Sequence, residues 1–520
     1  MDKKITDSAL KVIFTGSVFF LIGMIVSKVF SYLTRIVIAR ELGAESYGLF
    51  SLGLMIVGFF VVFSELGLGT GICRFISFYR GKRDKAGIRE TLSSSLKFVT
   101  PLSILLGILL FFSADFFAQF FNNPILSNYL KILSFLVPLT ALSDVFLATI
   151  LGFERIDYFT YHFSVIHKIL QFSIIAISLY IFRASILSVA FAYVISFFYL
   201  TLATFYIVNY KLVSKSKKSI KKEKKKGIIK ELLLFSWPLL FVAFLGSILG
   251  WIDSFMIGYF ENIENVGFYN SALPIAALLT VVTSMFSAIF LPVITKNYAR
   301  QKYKEIRIIS KQISKWYLFI VFPLFLLLII FPGTAINFLF GQDFLPAETS
   351  LIILSFGFLF FGLSFASIKM LEMLKKTKYN LINLIIVAII DVILNIILIP
   401  IYGISGAALA TSISYLVYSG LYIAESYYLF DFVPYSRKFI KPIFSGILAL
   451  GVILGIKILI GVSIAKVILM TLIFFLIYFV ALIRLRAFDK EDILIIKYAE
   501  EKTGIKLNFL RKFAYKFILR

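Results

Sequence analysis

The stretch that decides the reading runs from Ser17 to Arg83. Its first apolar run carries Lys28-Val29-Phe30-Ser31-Tyr32-Leu33-Thr34-Arg35, and the turn Arg40-Glu41-Leu42-Gly43-Ala44-Glu45-Ser46-Tyr47-Gly48 follows. A second apolar run carries Glu65, the small-residue sequence Gly67-Leu68-Gly69-Thr70-Gly71, and Arg74. Each run is long enough to cross a hydrocarbon core of about 30 Å. An ionised side chain at the bilayer centre costs roughly 2.5–3.5 kcal/mol on insertion scales. Several such groups in two successive spans therefore imply a polar cavity, and its cations suit an anionic substrate.

Composition carries the same conclusion to the whole chain. Its 520 residues are 60% hydrophobic and 16% charged, where soluble domains carry about a quarter charged residues. Mean hydropathy is +0.95. The protein is an integral membrane protein. A formal charge of +25 would raise nucleic acid for a soluble chain. Here the excess sits in short loops on alternate sides, such as Arg80-Gly81-Lys82-Arg83-Asp84-Lys85 and Lys375-Lys376-Thr377-Lys378. The positive-inside rule then puts both termini in the cytoplasm of a multi-pass cell-membrane protein and leaves no nucleic-acid partner. A single cysteine, Cys73, excludes an internal disulfide framework or a cysteine metal site. The lysines before the first apolar run superficially suit a signal peptide. That run exceeds the length of one and lacks a small-residue cleavage site, so it reads as the first membrane helix.

About fourteen spans are expected, the first two near residues 12–39 and 47–72. The fold class is thus an all-α polytopic membrane protein with about 14 transmembrane helices. Two six-helix lobes of parallel topology, plus two C-terminal helices, follow from an internal repeat. Leu130-Lys131-Ile132-Leu133-Ser134-Phe135 returns as Leu351-Ile352-Ile353-Leu354-Ser355-Phe356, and Tyr47-Gly48-Leu49-Phe50 as Val266-Gly267-Phe268-Tyr269. Transporters built on such repeats place the substrate near mid-membrane between the halves. The expected organisation is a first lobe over 1–210, a cytoplasmic polybasic linker over 211–230 and a second lobe over 231–430. A helix pair over 431–486 and an amphipathic basic tail over 487–520 complete it. Runs of lysine beside a membrane also meet anionic membrane lipids.

Lys28 and Arg35, seven residues apart, project from one helix face two turns apart. Glu65 lies deep in the second span and Arg74 nearer its inner end, and Glu65 stands either as part of the substrate site or as the partner of Lys28 or Arg74. The glycines at 67, 69 and 71 lack the preceding strand and the following Lys-Ser/Thr of a nucleotide loop and read as packing or hinge positions. Asp144, His162, His167, Lys168 and Gln171 form a second polar group, either a proton relay or internal hydrogen bonding. Asp253 sits near the outer end of the seventh span. Asp391 and Asn395 are one turn apart in the eleventh with Asn383 near their face, and a membrane carboxylate beside an amide suits Na⁺ or H⁺ coupling. Glu425 and Lys369 read as interfacial. No cofactor is called for beyond such an ion, no catalytic motif appears, and the chain is not read as an enzyme.

The run Ile38-Ala39-Arg40-Glu41-Leu42-Gly43-Ala44-Glu45-Ser46-Tyr47-Gly48-Leu49-Phe50-Ser51 resembles the opening of prokaryotic polysaccharide-biosynthesis membrane proteins. These are O-antigen-type flippases of the multidrug/oligosaccharidyl-lipid/polysaccharide exporter superfamily. Asp253-Ser254-Phe255-Met256-Ile257-Gly258-Tyr259-Phe260 and Tyr402-Gly403-Ile404-Ser405-Gly406-Ala407-Ala408-Leu409-Ala410 resemble it too. The resemblance implies two six-helix lobes with alternating access and a polyprenyl-diphosphate oligosaccharide as substrate. It also implies that cations of the first lobe receive the diphosphate, a role open to Lys28, Arg35 and Arg74. Partners would be glycosyltransferases or a polymerase of glycan assembly. Two alternatives stand beside it. A cation-coupled multidrug exporter of the same superfamily would use Glu65, Asp253 and Asp391, and a non-transporting scaffold for glycan assembly would need none of them.

Overall fold

A computed structural model describes residues 2–183, 185–213, 228–461 and 463–488. Most of the lysine linker and nearly all of the amphipathic tail expected above lie outside the described residues. Among those described there is no strand, and 13 helical segments are long and apolar enough to cross a membrane. The polytopic all-α expectation holds.

The first segment, Ile22–Glu65, has 44 residues, twice what one crossing needs. It belongs to helix α1 (Asp2–Glu65), which breaks direction at Gly43, where φ is 77° and ψ −178°. A side chain at that backbone conformation would clash, so only glycine adopts it cheaply. The turn expected near 40–48 is therefore a single-residue bend, and its two legs bring the crossings to about fourteen. The second span is shorter than the 47–72 expected. Leu66 and Gly67 both take left-handed conformations and end α1, and α2 (Leu68–Gly81) starts afresh.

The chain divides into two compact units, Met1–Asn270 and Ser271–Arg520. In the first, α3 (Lys85–Phe120) is followed by α4 (Ile125–Leu133) and α5 (Leu136–Gly152). Helix α6 (Ile156–Phe159) runs through a wide π-type turn at Thr160–Ile166 into α7 (His167–Tyr180). Helix α8 (Ile186–Tyr206) ends in a second π turn at Ile207–Val213. Helix α9 (Ile228–Phe260) packs on α1, α2 and α3, and the unit boundary falls inside α10 (Ile263–Ala277). The second unit holds α11 (Val281–Ala299), α12 (Tyr303–Ile330), α13 (Pro332–Leu339), α14 (Glu348–Leu363) and α15 (Phe365–Met373). It continues with α16 (Thr377–Tyr402), α17 (Ile404–Phe430), α18 (Ile440–Ile460) and α19 (Ile464–Arg484).

Lipid cannot hydrogen-bond the backbone, so each polar group must be satisfied within the protein. Two buried hydroxyls of α3 follow that rule: Thr91 Oγ1 and Ser95 Oγ donate to the carbonyls of Gly87 and Thr91, each at 2.7 Å. Leu68, Ile72, Leu92, Val99, Phe146 and Leu232 pack as one cluster of the first unit; Phe290, Ile306, Phe365 and Met370 do so in the second. Phe112, Ile401 and Leu476 remain exposed, which apolar side chains tolerate when acyl chains surround them.

Within the first unit, the second leg of α1 crosses α10 at two glycines. A Cβ on Gly48 would lie 1.9 Å from the carbonyl oxygen of Ile263, and one on Gly267 would lie 2.0 Å from that of Ala44. Each glycine thus faces the carbonyl four residues before the other. The contact is reciprocal, as across a twofold axis, and its members are positions matched by the sequence repeat.

Candidate functional site

The first leg of α1 packs along α6, the π turn and α7: Phe30 meets Phe172 edge-on at 5.5 Å, and Gly23 lies against Thr160. Arg35 stands eight residues before the Gly43 bend, and Tyr47 four after it. The bend folds these positions together, and Arg35 Nη1 donates to the Tyr47 hydroxyl at 3.3 Å. Tyr47 in turn donates to the carbonyl of Asn270 at 3.2 Å. The Asn270 amide then donates to Ser254 Oγ at 2.8 Å. Arg35 lies 5.9 Å from the Phe50 ring, with Tyr32 and Tyr193 also close to its charge.

Lys168, at the middle of the Ile156–Tyr180 span, lies within range of the positive charge of Arg35. The π turn sets this juxtaposition. One extra residue in a helical turn rotates everything beyond it by about 100°, so the Thr160–Ile166 segment decides which way α7 presents Lys168. Tyrosine hydroxyls surround Arg35, and no carboxylate contributes to the field at either cation among the described residues. Two cations inside a membrane repel each other and are desolvated at a cost. A bound anion offsets both penalties.

The remaining sequence-derived candidates separate. Lys28 is exposed, two turns from Arg35. Arg74 is also exposed, its guanidinium 4.3 Å from the ring centroid of Phe235 on α9. Glu65 lies against Asp144 of α5, so the ion pair with Lys28 or Arg74 considered above gives way to a carboxyl–carboxyl pair. Two carboxyls in contact ionise together only against strong repulsion. Asp253 is buried on α9 and accepts a hydrogen bond from Tyr269 at 2.6 Å.

In the second unit, Asp391 and Asn395 are buried on α16, and the Asn395 amide donates to the Asp391 carbonyl at 3.0 Å. Asn383 turns instead to Glu425, at 2.8 Å. Glu425 lies five residues before the end of α17, and Lys369 pairs with Glu372 at 2.7 Å. His162 meets the Tyr199 hydroxyl at 3.1 Å, and His167 Nδ1 the Ser196 carbonyl at 3.1 Å. Gly67 and Gly71 approach α9 closely, while Gly69 faces open space. Lys168 is the residue that sequence reasoning undervalued. A lysine at mid-span is the signal that singled out Lys28, but its neighbour lies 133 residues away in sequence.

Residues 13–298 match the family described as polysaccharide biosynthesis protein, and residues 238–397 match the MatE family. The chain is 27% identical over 478 residues to an uncharacterised membrane protein of Methanocaldococcus jannaschii, covering 88% of this chain and 92% of that one. It is 24% identical to a probable low-salt glycan biosynthesis flippase of Haloferax volcanii, over 42% of this chain and 46% of the relative. A putative O-antigen transporter of Shigella flexneri is 21% identical over 72% of this chain and 88% of its own. Among solved structures, the inward closed conformation of lipid II flippase MurJ aligns with a TM-score of 0.71 at 18% identity, covering 89% of this chain and 98% of that one. An inward-facing multidrug resistance MATE transporter aligns at 0.66 and 17% identity, over 80% and 98%. At such identities the two structures bear on the fold alone.

Proposed function

This chain belongs to the polysaccharide biosynthesis protein family, and from that premise we propose that it is a flippase for a lipid-linked oligosaccharide or polysaccharide precursor. Two cations of the first unit in spanning segments, Arg35 and Lys168, with Lys168 within range of the charge of Arg35, carry the reading. A polyprenyl diphosphate supplies the anion that these cations lack, and charge-assisted hydrogen bonds from guanidinium and ammonium groups to phosphate are the strong ones. The carrier's isoprenoid tail stays in lipid while the diphosphate and sugars pass through protein. That division suits a chain that buries Asp253, Asp391 and Asn395 and exposes Phe112, Ile401 and Leu476. The reading makes the protein a transporter, with no bond made or broken in its substrate.

The buried carboxylates are the natural seat of the driving ion. Asp391, held on α16 beside Asn395, is assigned the coupling of Na⁺ or H⁺, and Asp253 a part in the substrate path. A second reading, a cation-coupled multidrug exporter, draws on the MatE match and on the burial of Asp253.

Proteoliposomes holding the purified chain and a fluorescent polyprenyl-diphosphate oligosaccharide separate these readings. The expected result is that label in the inner leaflet becomes accessible to an impermeant reductant added outside. Access no faster than in protein-free liposomes refutes the flippase, and efflux of a fluorescent organic cation in its place establishes the exporter. Asp391→Asn is expected to flatten the response to an imposed Na⁺ or H⁺ gradient. An unchanged response reduces Asp391 to a structural residue.

A further inference from the structure

We propose that the pocket at the α2–α3 turn binds the phosphate headgroup of an anionic membrane lipid, one of net negative charge, at a site separate from Arg35 and Lys168. The pocket has a volume of about 330 Å³ and is lined by Arg80, Arg83, Lys85 and Arg89 over an apolar floor that includes Phe153 and Val213. Arg80 is met by Glu154 at 3.0 Å. The other three cations have no ion-pair partner among the described residues. The carboxylates beside them in sequence keep their charge but turn to other partners: Asp84 caps α3 by accepting the Gly87 N–H at 2.9 Å, and Glu90 accepts from Ser94 at 3.1 Å. The pocket is lined by four cations and by no carboxylate.

The turn is built in a way that keeps one of those charges in place. Helix α2 ends in a Schellman motif, with Asp84 N–H donating to the Tyr79 carbonyl at 2.8 Å and Arg83 N–H to that of Arg80 at 3.0 Å. The central position of that motif is left-handed and is ordinarily glycine, yet here it is Arg83, with φ 56°. An arginine accepts this strained backbone and lines the pocket. The pocket also lies where spans end, at Gly81, Lys85, Gly152 and Val213. That is headgroup depth on the basic face of the membrane, with apolar side chains below for the glycerol and first methylenes. Basic groups at this depth attract anionic lipid, and the floor favours a lipid over a free phosphate.

Native mass spectrometry of the purified full chain, titrated in micelles with phosphatidylglycerol or phosphatidylcholine, tests the site. Phosphatidylglycerol is expected to bind and phosphatidylcholine not. Arg83→Gly should weaken phosphatidylglycerol by about fivefold, the effect of one cation near a membrane surface. Glycine suits the left-handed position, so the thermal midpoint should not fall. Arg89→Gln, on regular helix, should weaken binding by a similar factor with the turn untouched. Unchanged affinity in both variants overturns the proposal, as does equal binding of phosphatidylcholine. Displacement of the lipid by soluble glycerol phosphate at matched concentration also overturns it, making the pocket a site for soluble phosphate.

Discussion

Lys168→Met stops, or slows by on the order of ten- to a hundredfold, the translocation of a polyprenyl-diphosphate oligosaccharide, while the chain still folds and inserts. The factor corresponds to the roughly 1.5–3 kcal/mol of a hydrogen bond to a charged group. Methionine keeps the length and the apolar stem of lysine and removes only the ammonium. What sets this variant apart from ordinary loss of function is its effect on stability. Lys168 lies within range of the like charge of Arg35, so its removal relieves repulsion in the substrate-free protein. The thermal midpoint in detergent should hold or rise while transport falls. Arg35→Gln should lose transport to a similar degree, with a small loss of stability because the bond to Tyr47 goes with the guanidinium. Arg35→Lys, which keeps the charge but not the planar fork, should retain part of the activity. Wild-type transport by Lys168→Met and Arg35→Gln would remove the anion site on which the function rests. A lowered midpoint in Lys168→Met would show that the lysine has a stabilising partner and is no receptor for substrate.

The sequence made the class of protein plain because the relevant signal is local. Twenty apolar residues cross a bilayer whatever their tertiary contacts, and the loop charges alternate regardless of how helices pack. The turn at residues 40–48 was legible for the same reason, since Gly43 lies between two runs of spanning length. Pairing is where the signal failed. Glu65 was legible as a costly charge, but its partner is another carboxyl, Asp144, and nothing in a linear reading favours a like group over Lys28 or Arg74. Lys168 follows a π turn that leaves no compositional trace, because Thr160-Tyr161-His162-Phe163-Ser164-Val165-Ile166 reads as ordinary helix. The break at Leu66–Gly67 was concealed by a hydrophobic run that continues through it. Asn383 was assigned to Asp391 by helical spacing along one helix, whereas its hydrogen bond goes to a neighbouring helix.

Gly48→Ala and Gly267→Ala should each destabilise the protein severely, although alanine is the better helix former. In an unconstrained helix the exchange is favourable by roughly 0.5–1 kcal/mol. At Gly48 the added carbon would stand 1.9 Å from a backbone carbonyl oxygen, and at Gly267 2.0 Å. Close C–H···O contacts are normally about 3.3–3.6 Å between carbon and oxygen, so the helices must part by more than an ångström. No rotamer relieves this, because both the methyl and the oxygen are fixed to backbone. Overpacking of this kind typically costs about 1–3 kcal/mol and sometimes more. Close helix approach in lipid rests on van der Waals contact, so the separation is not compensated by burial elsewhere. Two features of the outcome are specific. The double variant should be little worse than either single, because one displacement of α10 from α1 accommodates both methyls. Alanine at Gly69 or Gly246, where nothing lies within 4 Å, should leave the thermal midpoint unchanged or raise it. Unfolding in detergent of the two single variants, the double and the two controls decides the matter. If Gly48→Ala melts with the controls, the crossing is loose and the reciprocal contact does not hold the two repeat-matched helices together.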